Sequence, residues 1–201
     1  MSANTYHVQL SCPHCGRKST YTMRTLIDTG IDPHAEGKLF SGGLFRSTCP
    51  FCHKNQEVSY SCMYHDHARK LLIGYADNEK DEAEMRLRMN GSFHQDELDD
   101  ALKEWTSACT TRIVTSINDF QEKVLIFHFN LDDRLIELAK YMTRMIAEKQ
   151  QPELKMDTLL FNHDETGYSF IALNEDGVTG KLPFSKESYL FLEKKYGLRL
   201  M

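Results

Sequence analysis

The sequence has no long apolar run. Nothing in its 201 residues approaches the roughly 18 consecutive apolar residues that a membrane-spanning helix needs, so we expect no membrane span. Residues 1–9 lack a basic stretch followed by an apolar one, and we therefore expect no secretory signal peptide. These absences predict a cytoplasmic protein in a reducing compartment, where cysteines serve as metal ligands more often than as disulfides.

The common signatures of catalysis are missing as well. The chain shows no phosphate-binding glycine loop, no H-E-x-x-H pair and no arrangement of the Ser-His-Asp type. Excess positive charge is also absent, and the net charge of -5 weighs against nucleic acid as the main partner. With 41% hydrophobic and 26% charged residues, the composition is that of a globular protein of one large domain or two modest ones.

Most of the six cysteines are clustered. Four of the six cysteines form two turns, Cys12-Pro13-His14-Cys15 and Cys49-Pro50-Phe51-Cys52. Two residues between the cysteines let one tight turn point both sulfurs the same way, and the proline fixes φ for that turn. Two such turns face to face supply the four thiolates of a tetrahedral metal site. The predicted structural metal ligands are Cys12, Cys15, Cys49 and Cys52.

Zinc is the metal that we favour for this site. Iron is the alternative, because rubredoxin-type sites also use paired C-x2-C turns. We favour zinc because His53 stands where a glycine would relieve crowding around iron, and because the rest of the chain offers no electron-transfer partner. A redox-active C-x-x-C begins a long helix, whereas both turns here are flanked by strand-like sequence. We expect Cys62 and Cys109 to be small buried residues.

Alternating polar and apolar residues predict a strand on each side of each cysteine turn, as in a zinc ribbon. Between the turns, Asp32-Pro33 predicts the N-cap and first residue of a short helix that ends at Gly42-Gly43. The predicted strands are residues 5–10, 17–26, 44–48 and 56–62, followed by 71–73.

Charge is distributed unevenly along the chain. Residues 1–75 have 8 Lys and Arg against 5 Asp and Glu, residues 76–111 have 4 against 10, and residues 112–201 have 12 against 14. The acidic middle predicts a solvated connector. We expect an α+β protein with a zinc-ribbon-like β domain over 1–76, an acidic helical connector over 77–111, and a helical part with a small antiparallel sheet over 112–201.

Helical patterns fill the middle and the second half of the chain. Residues 78–89 and 95–105 predict two acidic helices separated by Asn90-Gly91. Ser116 with Asp119 predicts the start of another helix. Asp132 caps the longest predicted helix, which has an apolar stripe at helical spacing and stops at Pro152.

The last fifty residues predict a small antiparallel sheet and a final helix. Three short strands are predicted over residues 159–161, 168–173 and 178–182, with Glu175-Asp176-Gly177 as the turn between the second and third. Ser185 caps the final helix, which ends at Gly197.

Two polar clusters in the sequence are candidate sites. His65-Asp66-His67 can bind a metal if both histidines lie on one face of a strand. No third ligand is evident nearby in the sequence, so we expect Tyr64 and His65 to seal the base of the ribbon and Asp66 to cap the next turn. Asp132-Asp133-Arg134 with Glu137 is explained by the preference for acidic residues at a helix start.

A nucleic-acid surface is the third candidate. Basic residues surround the cysteine turns, with Tyr21, Phe45 and Phe51 among them, and such a face can contact phosphates and stack on bases. A solvated basic face explains the same pattern. The basic residues are Arg17, Lys18, Arg24, Arg46 and Lys54.

Several segments together resemble the CpXC domain of bacterial proteins, which is named for its two Cys-Pro-x-Cys turns. The similarity includes both turns, with Gly16 after the first, and later segments such as 112–114, 122–124 and 131–134 with Glu137. The other matching segments are 31–33, 39–45 and 63–66. The resemblance implies a zinc-ribbon-like domain in a bacterial protein and supplies no reaction.

The leading hypothesis from the sequence is a non-catalytic, zinc-stabilised binding module whose partner is a protein. One alternative is an enzyme with a site between the two parts, formed by His65, Asp66 and Asp133. The other alternative is a nucleic-acid-binding ribbon.

Overall fold

The computed structural model describes residues 5–89 and 108–197. The predicted helix over 95–105 and the Asn90-Gly91 break lie outside these residues. The strands are β1 (Thr5–Ser11), β2 (Lys18–Arg24), β3 (Leu26–Asp28), β4 (Arg46–Thr48), β5 (Asn55–Glu57), β6 (Cys62–Asp66), β7 (Leu71–Tyr75), β8 (Thr110–Val114), β9 (Thr158–Asp164), β10 (Gly167–Asn174) and β11 (Gly177–Pro183). The helices are α1 (Ala35–Phe40), α2 (Glu79–Met89), α3 (Ile117–His128), α4 (Asp133–Gln150) and α5 (Lys186–Tyr196).

The chain forms two compact units, Met1–Gln121 and Glu122–Met201. The predicted α+β class is confirmed, since strands dominate the beginning and a small antiparallel sheet follows the later helices. The three-part division at residues 76 and 111 stays a prediction. No helix in the described part of the chain combines the length and apolar character that a membrane span requires.

Two antiparallel hairpins present the cysteine turns of the first unit. Strand β1 pairs with β2 around the first turn, and β4 pairs with β5 around the second. The second hairpin is shorter than predicted, because the expected strand over 56–62 ends at Glu57. Beyond it, Val58 and Tyr60 are buried in the core, and Cys62 begins a strand of another sheet.

A four-stranded sheet with the order β3-β6-β7-β8 forms the base of this unit. Strand β3 runs parallel to β6, β6 antiparallel to β7, and β7 parallel to β8. All five residues of β7 are buried. Aromatic rings pack nearby, with ring centroids 5.3 Å apart for Phe45 and Tyr60 and 5.7 Å apart for Phe45 and Tyr75.

Helix α1 begins later than the sequence predicts. Its first residue is Ala35, and its N-cap position is His34 rather than Asp32. Asp32 makes the bond of a capping residue, because its carboxylate accepts the His34 N–H at 3.0 Å, but the Ala35 N–H donates to the Asp32 carbonyl three residues back and so closes a separate turn before the helix. The same carboxylate pairs with Arg24 at 2.7 Å and with Lys38 at 3.0 Å.

The other predicted helix caps are confirmed. The Asp132 carboxylate accepts from the Arg134 N–H at 2.9 Å, and the Ser185 hydroxyl accepts from the Ser188 N–H at 3.1 Å. The Ser116 hydroxyl accepts from the Asp119 N–H at 3.0 Å. Each side chain satisfies an N–H group that has no partner within its own helix.

The second unit packs α4 and α5 with the three-stranded sheet β11-β10-β9. Its core contains Leu135 and Ile136 from α4 together with Phe161 and Phe170 from the sheet. The large apolar side chains of the α4 stripe are buried only in its first half, although Ala147 in the second half is also buried. Farther along the helix, the exposed residues of the stripe are Tyr141, Met142, Met145 and Ile146.

A buried ion pair ties α3 to α4 in this unit. Glu122 is only 3% exposed. Its carboxylate lies 3.0 Å from Lys140 Nζ and accepts a hydrogen bond from the Phe161 N–H at 2.5 Å. Burial raises the pKa of Glu122, although Lys140 and the Phe161 N–H oppose the rise. Removing one partner of such a pair leaves an uncompensated charge.

We therefore expect Lys140→Met to lower the free energy of unfolding by about 3 kcal/mol at neutral pH. The loss should shrink as the pH falls, because protonated Glu122 needs no counter-ion and its pKa in the folded state lies above its unfolded value. Urea unfolding across a pH series measures both effects. Lys149→Met, at an exposed position of the same helix, is the control and should change stability little; equal losses in both variants would contradict the prediction.

Candidate metal centre

The two cysteine turns bring four sulfur atoms together. Cys12 Sγ lies 3.6 Å from Cys52 Sγ, and Cys15 Sγ lies 3.7 Å from Cys49 Sγ. All four sulfurs lie within 4.8 Å of one another. Four thiolates bound tetrahedrally at ~2.3 Å from one ion are about 3.8 Å apart, so the observed spacing fits a single metal ion.

The backbone of the two turns is nearly the same. In the first, the Gly16 N–H donates to the Cys12 carbonyl, and in the second the His53 N–H donates to the Cys49 carbonyl, both at 2.9 Å. Gly16 has φ +71° and His53 has φ +57°, so both occupy the left-handed region. The turn therefore needs this conformation after its second cysteine, and His53 adopts it although it is not glycine.

The pKa values of Cys12, Cys49 and Cys52 are shifted in different directions. The N–H groups of Cys52 and Phe51 hold the pKa of Cys49 at about 6. The N–H of Cys15 likewise lowers the pKa of Cys12. The N–H of Lys54 favours the thiolate of Cys52, but burial and the neighbouring thiols outweigh it and raise the pKa of Cys52 to about 11. A cation among the sulfurs would favour all four thiolates together.

The four cysteines of the cluster differ in their exposure. Cys12 and Cys49 are buried, Cys52 is half-buried and Cys15 is exposed. His14 and His53 both face solvent. Neither turn begins a helix, which agrees with the argument against a redox-active C-x-x-C. Cys62 is buried as predicted, and burial raises its pKa, whereas Cys109 is only half-buried.

Comparison with known families agrees with this geometry. The model of the CpXC protein family matches residues 10–140, which include both cysteine turns. The chain belongs to this family. No curated protein and no solved structure matches the chain. The function of this CpXC protein is therefore inferred from its own residues.

Neighbouring residues of the His65-Asp66-His67 segment contact different partners. His65 Nδ1 lies 2.8 Å from Asp28 Oδ2, whereas Asp66 accepts the Arg69 N–H at 3.1 Å and pairs with the Arg69 guanidinium. Asp66 thus caps the following turn, as predicted. The contact between Asp28 and His65 could not be predicted from the sequence, because the two residues are 37 positions apart and no local motif links them.

The remaining acidic candidates of this CpXC protein are engaged in ion pairs within the second unit. Asp133 is 3% exposed and lies 3.3 Å from Lys123 Nζ. Glu137 contacts Lys123 at 2.8 Å and Lys140 at 2.9 Å. These contacts, with the capping role of Asp132, agree with the structural interpretation of the cluster.

Only part of the predicted basic and aromatic face is presented to solvent. Phe45 is buried, and the Tyr21 hydroxyl donates to the Leu44 carbonyl at 2.5 Å. Arg24 pairs with Asp32. Phe51 remains exposed at the second cysteine turn, with the Arg17 guanidinium 5.1 Å from its ring centroid.

The matched turns allow a paired test of backbone strain. Gly16→Ala should lower the free energy of unfolding of the metal-saturated protein by about 1 kcal/mol, because left-handed backbone disfavours a Cβ. Space is not the cause, since a Cβ there would meet no atom within 4 Å. His53→Gly should raise stability by roughly 0.5 kcal/mol, because relief of strain exceeds the extra entropy of an unfolded glycine. Urea unfolding measures both, and changes of the same sign would contradict the interpretation.

Proposed function

We propose that this CpXC protein is a non-catalytic binding module whose N-terminal ribbon is stabilised by one zinc ion on Cys12, Cys15, Cys49 and Cys52. The observation that supports it is the tetrahedral spacing of the four sulfurs. Four protein thiolates fill a tetrahedral zinc ion and leave no open position for a substrate, which is typical of structural sites. A reducing compartment such as the bacterial cytoplasm keeps these thiols available.

The physical role of zinc follows from the small size of the hairpins. Most side chains of β1 and of the β4–β5 hairpin are exposed or half-buried, so these strands bury little apolar surface. Two-stranded hairpins are marginally stable alone. Metal binding at a structural zinc site supplies on the order of 10 kcal/mol, enough to fix both cysteine turns relative to one another.

A protein partner is favoured over nucleic acid. Base stacking uses several exposed rings along a basic groove. Of the three aromatic residues predicted for it, Phe51 is exposed, Tyr21 is half-buried and Phe45 is buried. We define the cysteine-turn surface as the exposed residues Pro13, His14, Arg17, Pro50, Phe51 and His53. An exposed phenylalanine beside an arginine has the residue types that are enriched in protein–protein interfaces.

The metal assignment is tested by analysis of the full-length protein purified under reducing conditions and passed over a chelating resin. We expect about one tightly held zinc ion per chain. Cys15→Ser should lose most of it and unfold more easily, while Cys109→Ser, which changes a cysteine outside the cluster, should keep it. Stoichiometric iron with strong visible absorption would reject zinc. Full stability after complete removal of metal would reject a structural role.

The partner assignment is tested by capture with the metal-loaded full chain as bait. A specific partner should be lost with Phe51→Ser and retained with Phe191→Ser, which removes a phenylalanine of similar exposure from the second unit; the exposed fractions are 49% and 58%. Binding should survive nuclease treatment. Binding that nuclease abolishes and that weakens steeply with added salt would instead support the nucleic-acid alternative. A partner retained by Phe51→Ser would exclude the cysteine-turn surface.

A further inference from the structure

Three potential metal ligands meet at one end of the four-stranded sheet. Strands β3 and β6 are parallel, and their register places Asp28 directly beside His65. His67 lies just beyond the end of β6, in the turn that leads to β7, and its ring contacts that of His65. The two imidazole rings are 3.8 Å apart between centroids.

The donor atoms of these residues have the spacing of ligands around one ion. Asp28 Oδ2 lies 2.8 Å from His65 Nδ1 and 3.7 Å from His67 Nε2. Each residue offers a donor atom within 4.8 Å of the others. Nitrogen and oxygen ligands at ~2.1 Å from zinc are separated by about 3.0–3.4 Å, depending on the coordination angle, and the two observed separations bracket that range.

The backbone around Asp28 fixes the orientation of its carboxylate. The Gly30 N–H donates to Asp28 Oδ1 at 2.8 Å, which leaves Oδ2 directed at the histidines. The Asp32 N–H donates to the Asp28 carbonyl at 2.9 Å, and the Thr29 N–H donates to the His65 carbonyl at 3.1 Å. Hydrogen bonds that hold ligand side chains in place are a regular part of metal sites.

Gly30 allows the turn to approach closely. A Cβ at this position would lie 3.1 Å from Asp28 Oδ1 and 3.4 Å from His67 Cδ2. The cluster is also accessible from one side only, because the side chains of His65 and Asp28 are 6% and 10% exposed whereas that of His67 is 62% exposed. An ion could enter past His67 and retain water there.

An ion pair is the alternative explanation of this arrangement. His65 Nδ1 lies at hydrogen-bond distance from Asp28 Oδ2, and His67 Nε2 lies 3.7 Å from the same oxygen, which is an ion-pair distance when the imidazole is protonated. A bound metal ion would need only a small movement of the exposed His67 side chain, and metal titration distinguishes the two explanations.

We propose that Asp28, His65 and His67 form a second metal site, which binds a divalent first-row transition-metal ion such as Zn²⁺ or Co²⁺ and leaves coordination positions open to water. Two imidazoles and one carboxylate suit such ions. The site differs in kind from the four-cysteine cluster, because its ligands are nitrogen and oxygen and one side is open. Its ion is exchangeable, and the site is independent of the binding function proposed above.

The test uses the full chain without a histidine tag, with the four-cysteine cluster already filled by Zn²⁺. Calorimetric titration with Co²⁺ should show one further binding event. The bound Co²⁺ should give weak ligand-field absorption without the intense thiolate charge-transfer bands of a cobalt–cysteine site. If the zinc-stabilised module is wrong, Cys15→Ser will keep the metal content and stability of the parent. If this second site is wrong, the zinc-filled parent will bind no further Co²⁺.

His67→Ala is the principal variant, since its side chain is largely exposed and its removal should leave the fold intact. The dissociation constant for the added Co²⁺ should rise about tenfold or more. Asp28→Asn should weaken binding as well, provided that its circular dichroism matches the parent; otherwise His67→Ala decides. His7→Ala, at an exposed histidine of β1, is the matched control and should bind Co²⁺ like the parent.

Three results would overturn the proposal. The first is that the parent protein binds no further Co²⁺ once the cysteine cluster is filled. The second is that His67→Ala binds it as tightly as the parent. The third is that His7→Ala weakens binding as much as His67→Ala, which would assign the signal to scattered surface histidines.

Discussion

The first unit brings four sulfur atoms from two separate hairpins to one point, and each hairpin contributes half of the cluster. The strands of both hairpins are largely exposed or half-buried, and two-stranded hairpins are marginally stable alone. Away from the cysteine turns, Tyr21 provides a further link, because its hydroxyl donates to the Leu44 carbonyl and its ring packs against Tyr60. The two turns also share their hydrogen bonds and their left-handed residue, so each supports its pair of sulfurs in the same way. The segment that matches the CpXC family, residues 10–140, contains both cysteine turns and continues well past them.

Local chemistry explains what sequence analysis could predict. The spacing of Cys12 and Cys15, and of Cys49 and Cys52, determines a turn geometry that needs no distant information. Asp132 and Ser185 cap helices because a side-chain oxygen can reach an N–H two or three residues ahead. The start of α1 was predicted wrongly for a related reason. Asp32 accepts the N–H two residues ahead as a capping residue does, but the Ala35 N–H donates to the Asp32 carbonyl and closes a separate turn, so the helix begins only at Ala35.

Contacts between distant segments explain what the sequence did not reveal. Asp28 meets His65 only because two short strands pair in parallel, and such pairing leaves no local pattern. The same holds for Glu122, whose partners are Lys140 and the backbone of Phe161. The apolar stripe of α4 shows a further limit, since periodicity indicates a helix but does not say how much of its length a neighbouring sheet covers. Tyr21 and Phe45 likewise point inward, although the sequence was consistent with a stacking surface.

The order of strands in the four-stranded sheet has a consequence for biosynthesis. Strand β7 is buried along its whole length and pairs on one side with β8, which begins at Thr110. A chain emerging from the ribosome therefore completes β7 well before the strand that covers its outer edge exists. Until Thr110–Val114 has been translated, that edge presents unpaired backbone groups on an apolar strand. Such an edge is prone to aggregation and is the kind of surface that chaperones protect.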